Sequence, residues 1–168
     1  DFLARHVSHP VHPDPRDSLM LMRSHDEPHP IIGVLSMRIV NSVGLYPALG
    51  NAEQADYIRN HSAGRICLIT GLSFSTQYAR HYDLPQLLLT DALFHALSDD
   101  CSYAVYAPPE DAPRELEDVM RRSGFLPIPQ ELGRRTLMLT DMRSPVAVIQ
   151  NIPTTLKAPF ASPPAVLA

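Results

Sequence analysis

Hydrophobic and polar positions follow two different periods along this chain of 168 residues. In "SLMLMRSHDEPHPIIGVLSMRIV" the pattern is that of a hairpin, with Leu19 to Arg23 as one strand, "SHDEPHP" as the turn and Ile31 to Val40 as the second strand. "RICLITGLSF" is apolar almost without interruption and rich in β-branched residues, which predicts a central strand buried on both faces. "SYAVYAPP" predicts another strand, stopped by two prolines, and "RRTLMLTDM" a last one. Between them the period becomes helical. "NAEQADYIRN" is a helix with Asn51 as its N-cap, closed at Gly64. From about Pro85 to Leu97, the residues Leu87, Leu88, Ala92 and Leu93 recur at helical spacing. "APRELEDVMRRSG" is a further amphipathic helix, with Pro113 near its first turn and Gly124 as its C-cap. The predicted order is β-β-α-β-α-β-α-β, an α/β chain with a mixed sheet. Prolines at 10, 13 and 15 make residues 1–17 an irregular segment, and residues 143–168 read as a Pro/Ala-rich extension or linker. One domain is expected over residues 18–142.

Composition narrows the function classes. With 45% hydrophobic and 19% charged residues and a formal net charge of -4, the chain is globular, and no nucleic-acid partner is expected because such partners call for a basic face. No apolar run approaches the roughly 20 residues of a bilayer span, so no membrane partner is expected. Cys67 and Cys101 sit in apolar strands and read as buried free thiols of a reducing compartment, the cytoplasm. The first residue, Asp1, and the linker-like tail predict a piece of a longer chain with neighbouring domains as partners. His6, His9, His12, His25 and His29 have no cysteine or acidic partner at a recognised spacing, so no metal site is expected. Asp26 and Glu27 are turn formers at the hairpin tip, Asp99 and Asp100 a polar helix exit, and Arg121 and Arg122 complement a helix C-terminus.

Two stretches carry a resemblance. Leu72, Phe74 and Tyr78 end a strand, and Leu87, Leu88, Ala92 and Leu93 line the helix that follows. Further on, "LEDVMRRSGFLPI" ends a late helix in the pair Gly124 and Phe125. In this order and at this separation, over roughly residues 18 to 141, the chain resembles the GNAT N-acetyltransferase superfamily. There a strand ending L-x-V-x-P-x-Y leads into an R-G-x-G-I-G loop and a helix with paired leucines. The resemblance implies a mixed β-sheet flanked by helices, with the first strand and helix of the fold missing or displaced. It implies acetyl-CoA or another acyl-CoA as cofactor, its pantetheine arm on an exposed strand edge and its pyrophosphate at the loop. An acidic side chain or a water takes a proton from a small-molecule or amine acceptor, and a tyrosine on the late helix protonates the leaving thiolate. Carried over position by position, cofactor binding falls to Leu72, Phe74, Gln77, Arg80 and His81. A general base could come from the short helix before the central strand, where Glu53 and Asp56 lie. Met120 stands at the tyrosine's position and cannot donate a proton, which leaves Tyr103 and Tyr106 as candidate acids. In the family, the segment matching "GLYPALGNAEQ" shapes the acceptor pocket, which Tyr46 and Pro47 could line.

The loop departs from the pattern. Ala79 replaces the family arginine, and Arg80, His81, Tyr82, Asp83 and Leu84 replace the glycine-rich segment. Glycines let the backbone approach phosphates with no Cβ in the way. Two readings stand open: Asp83 caps its own helix and repels phosphate, or Gln77, Arg80 and His81 supply side-chain donors in place of lost backbone ones. The function implied is an acyl-CoA-dependent N-acyltransferase domain. The alternative is a catalytically silent GNAT-like module serving binding or regulation in a larger multidomain protein.

Overall fold

A computed structural model describes residues 15–25, 28, 30–75, 83–108, 114–129 and 136–143. Its strands are β1 (Ser18–Arg23), β2 (Ile31–Val40), β3 (Arg65–Phe74), β4 (Cys101–Tyr106), β5 (Leu126–Pro127) and β6 (Met138–Asp141). They form one sheet in the order β1-β2-β3-β4-β6-β5. Its helices are α1 (Leu45–Leu49), α2 (Ala52–His61), α3 (Asp83–Ser98) and α4 (Arg114–Arg122). Every neighbouring pair of strands is antiparallel except β3 and β4. A parallel pair needs a crossover connection, and α3 supplies it.

The run "RICLITGLSF" becomes β3, an interior strand whose two faces serve two cores, as its unbroken hydrophobicity requires. Toward α3 and α4, Cys67, Ile69, Leu72 and Phe74 pack with Leu35 and Met37 of β2, Leu88, Leu89, Ala92 and Leu93 of α3, and Met120 and Phe125. On the opposite face, Ile66 and Leu68 pack with Leu45 and Leu49 of α1 and Ala55 and Ile58 of α2. Truncating a fully buried Ile or Leu in such a layer costs about 2–5 kcal/mol.

Local signals set the helix ends. The Asn51 side chain accepts from the Gln54 N–H at 3.0 Å and caps α2. After α4, Gly124 takes a left-handed φ of 85°, with Gly124 N–H donating to Arg121 C=O and Phe125 N–H to Met120 C=O, each at 3.0 Å. This pair of hydrogen bonds is a Schellman stop, and it turns Phe125 back under the helix. Helix α3 starts at Asp83, two residues before the predicted Pro85, because a proline is tolerated in a first turn. Two short elements were not predicted. Helix α1 lies within "GLYPALG", for which no helix is predicted: Leu45 and Leu49 share a buried face, and Gly50, at φ 65°, ends the single turn. Strand β5 is two residues long and contains a proline, so it carries no alternation to read. Among the described residues, no helix is long and apolar enough to cross a membrane.

Candidate functional site

The sheet forks between β3 and β4. Their parallel pairing runs from Arg65 opposite Cys101 to Ile69 opposite Tyr106. Its last rung is the Ala107 N–H donating to the Ile69 carbonyl at 3.0 Å. Beyond Ile69, β3 pairs only with β2, from Gly71 opposite Ser36 to Phe74 opposite Gly33. The register with β2 also shifts here: Ile69 faces Met37 and Gly71 faces Ser36, which leaves Thr70 as an extra residue. A one-residue bulge bends its strand and increases its twist, and this one falls where β3 leaves β4. From Gly71 to Phe74 the edge away from β2 therefore has no strand partner among the described residues, and its N–H and C=O groups form a row open to hydrogen bonding. Leu72 and Phe74 are buried on the α3 side of that row. The Phe74 ring lies across Gly33 and occupies the place a Cβ would take, so any larger residue at 33 must displace that ring.

On the opposite face, a polar cluster sits against the bulge. Asp17, just before β1, has a side chain only 3% exposed. Arg38 donates to its Oδ1 from Nε at 2.7 Å and lies within 2.6 Å through a second guanidinium nitrogen. Ser36 Oγ donates to Oδ2 at 3.0 Å. The hydroxyl of Thr70, the bulged residue, lies 3.0 Å from Ser36 Oγ and 3.3 Å from Asp17 Oδ2. Sequence reasoning missed Asp17, since only folding brings it to Thr70, 53 positions away.

The proton-transfer candidates separate in space. Tyr106 is opposite Ile69, at the fork. Its side chain is wholly buried among the α3- and α4-facing core residues, and its hydroxyl has no hydrogen-bond partner among the described residues. Burial, with the charge of Glu117 adding to it, pushes the Tyr106 phenol far up, so it stays a neutral O–H donor. Tyr103 lies opposite Ile66, toward the other end of the paired stretch. The Arg143 guanidinium covers the Tyr103 ring at 4.9 Å, and burial followed by the Asp141 charge raises its phenol. Glu53 is exposed in the first turn of α2, where a carboxylate complements the helix dipole. Met120 is fully buried in the core between α4 and the sheet. Tyr46 donates to Asp56, which also pairs with Arg59 at 2.9 Å, so this tyrosine ties α1 to α2. The fork thus gathers Leu72, Phe74 and Tyr106. Gln77, Arg80 and His81 lie outside the described residues, as do Tyr78, Ala79, Tyr82 and the side chain of Asp83. The same holds for His6, His9, His12, Asp26, Glu27 and His29. No group of three metal-ligating side chains occurs among the described residues.

No protein-family model matches the chain, and no curated protein matches it in sequence. Solved structures match it in shape. The KacTA–DNA complex superposes with a TM-score of 0.56 at 10% identity, over 89% of this chain and 80% of that chain. A polyamine N-acetyltransferase from Drosophila melanogaster, an enzyme that forms N-acetylagmatine, gives 0.54 at 10% identity, over 80% of this chain and 84% of that chain. AtaT complexed with acetyl-methionyl-tRNAfMet gives 0.51 at 10% identity, over 80% of this chain and 76% of that chain. The fold is that of the GNAT N-acetyltransferases. One expectation is corrected. The exclusion of a nucleic-acid partner does not stand, because two structures of this same fold hold DNA and tRNA. A net charge of -4 sums the whole surface, whereas a local face decides what meets a phosphate backbone.

Proposed function

We propose that this domain is an acyl-CoA-dependent N-acyltransferase that holds its cofactor in the fork between β3 and β4. The observation that carries this reading is the coincidence of the Thr70 bulge with the end of β3–β4 pairing, which exposes the backbone of Gly71 to Phe74 on one edge. That edge suits an amide-bearing arm, since each of its groups seeks a partner as an added strand would supply. The orphaned Tyr106 hydroxyl beside it is a second mark of fit, because a buried O–H without a partner is stabilised when a ligand acceptor arrives. When bound, an acyl-CoA supplies an activated acyl thioester for transfer to an amine. The chain's own part is to align that ligand along β3, to exclude water with Leu72 and Phe74, and to hold a proton on Tyr106 Oη at the fork. Tyr106 then takes the place of the donor that Met120 lacks. The two free, buried cysteines fit a reducing compartment, and we assign the domain to the cytoplasm.

Met120 also favours a second reading, a silent GNAT-like module that binds without turnover. Calorimetric titration with acetyl-CoA, followed by turnover assays against free polyamines and an aminoacyl-tRNA, tests both readings. Micromolar binding with acylation of an amine is the expected result. Binding without turnover on either acceptor class establishes the silent module, and absence of binding sinks both.

A further inference from the structure

We propose that Asp17 is a positioning residue for the fork: held by Arg38, it anchors the hydroxyl of Thr70, directly and through Ser36, and so keeps the bulge at that one position. The consequence for ligand binding rests on the acyl-CoA reading above; the anchoring itself does not. A bulge in an antiparallel pair has no fixed address of its own. A slip of one residue makes a neighbour the extra one and turns the following side chains to the other face. Here the residues after the bulge, Leu72 and Phe74, are buried toward α3, and Ile69 before it is buried on the same side. Thr70 is the position where the polar cluster takes hold.

The bonds run in one direction. Thr70 donates to Ser36 Oγ at 3.0 Å, Ser36 donates to Asp17 Oδ2 at 3.0 Å, and Arg38 donates to Oδ1 at 2.7 Å. A carboxylate only accepts, so it orients both hydroxyls and ends the relay. With its side chain 3% exposed and its charge met by Arg38, Asp17 cannot swing into solvent without abandoning a half-buried guanidinium. The cluster spans the residue before β1, then β2 and β3, and therefore ties the three strands at the level where β3 leaves β4. Fixing the bulge there decides which N–H and C=O groups of Gly71 to Phe74 face the open edge.

Three variants test this: Thr70→Val, which keeps shape and removes the hydroxyl; Thr70→Ser, which restores it; and Asp17→Asn. Thr70→Val leaves the Asp17–Arg38 pair in place and carries the test if Asp17→Asn does not fold. The readouts are native-state amide exchange, which needs no ligand, and calorimetry with acetyl-CoA. In Thr70→Val the amides of residues 71–74 that bond to β2 should exchange about tenfold faster, while those of Ile66 to Ile69 keep native rates, and acetyl-CoA affinity should fall about tenfold (about 1.4 kcal/mol). Thr70→Ser should bring both back. Native exchange rates at residues 71–74 in Thr70→Val overturn the anchor, whatever acetyl-CoA does. Faster exchange there, in a protein whose native form binds no acetyl-CoA, upholds the anchor and sinks the acyl-CoA reading alone.

Discussion

At the scale of single residues, Tyr106 carries two opposed expectations. A buried hydroxyl without a partner destabilises the folded state by about 1–3 kcal/mol, so Tyr106→Phe should stabilise the apo protein. Thermal melts should show it, at about 2–4 °C per kcal/mol for a chain of this size. If the hydroxyl also gives a proton at the fork, the same variant should lose about 10²–10⁴-fold in turnover. A gain in stability with unchanged turnover would remove Tyr106 from the chemistry. The thiols give a pH expectation. Burial pushes Cys67 up to about 12 and Cys101 up to about 11. Both values lie above those of an unfolded chain, so the folded state keeps protons that the unfolded state releases. Their contribution is complete below about pH 8.5 and is lost as pH rises toward 11 and 12, at up to about 1.4 kcal/mol per pH unit for each thiol. Melting temperature should fall over that range, and the fall should shrink in Cys67→Ala compared with the native chain. Native protein at pH 8 should react with a thiol reagent only as fast as it opens.

At the scale of elements, the helix termini are single-site devices with predictable worth. Asn51→Ala removes the side-chain acceptor for the Gln54 N–H and should cost about 1 kcal/mol, measured by denaturant titration with an unchanged m-value. Gly124→Ala forces a Cβ into a left-handed conformation and should cost about 1–2 kcal/mol. A smaller loss would mean the Schellman stop relaxes rather than holds Phe125. These devices were legible in the sequence because a cap and its partner lie within a few residues of one another. The unbroken run of β3 and the leucine spacing of α3 were legible for the same reason: periodicity is local. Helix α1 was not, since five residues give one apolar pair and no period. The polar cluster was not either. Thr70 and Ser36 are unremarkable in their own strands, as is Asp17 just before a third, and their meaning comes from how those strands align.

At the scale of the whole molecule, a mixed sheet around a central β3 was foreseeable from alternating elements, and an exposed strand edge from the family resemblance, but the strand order and the residue at which that edge opens were not. Where two strands part depends on a one-residue shift that no composition encodes. The fork also makes a measurable claim: saturation at a hundred times the dissociation constant should stabilise the fold by about 2.7 kcal/mol, seen as a rise in unfolding temperature with acetyl-CoA. The sheet order has a consequence in time. Each of β2 to β4 lies beside the strand made just before it, whereas β6 inserts between β4 and β5 although both precede it in the chain. On a ribosome adding about 5–20 residues per second, the half of the sheet that contains the fork has all its strands once Tyr106 has emerged. Leu126 and Pro127 then wait, without a described partner strand, for Met138 to Asp141. The half of the sheet that holds the fork is thus the part that can assemble first during synthesis, and the four-residue β6 joins a sheet whose open edge already exists.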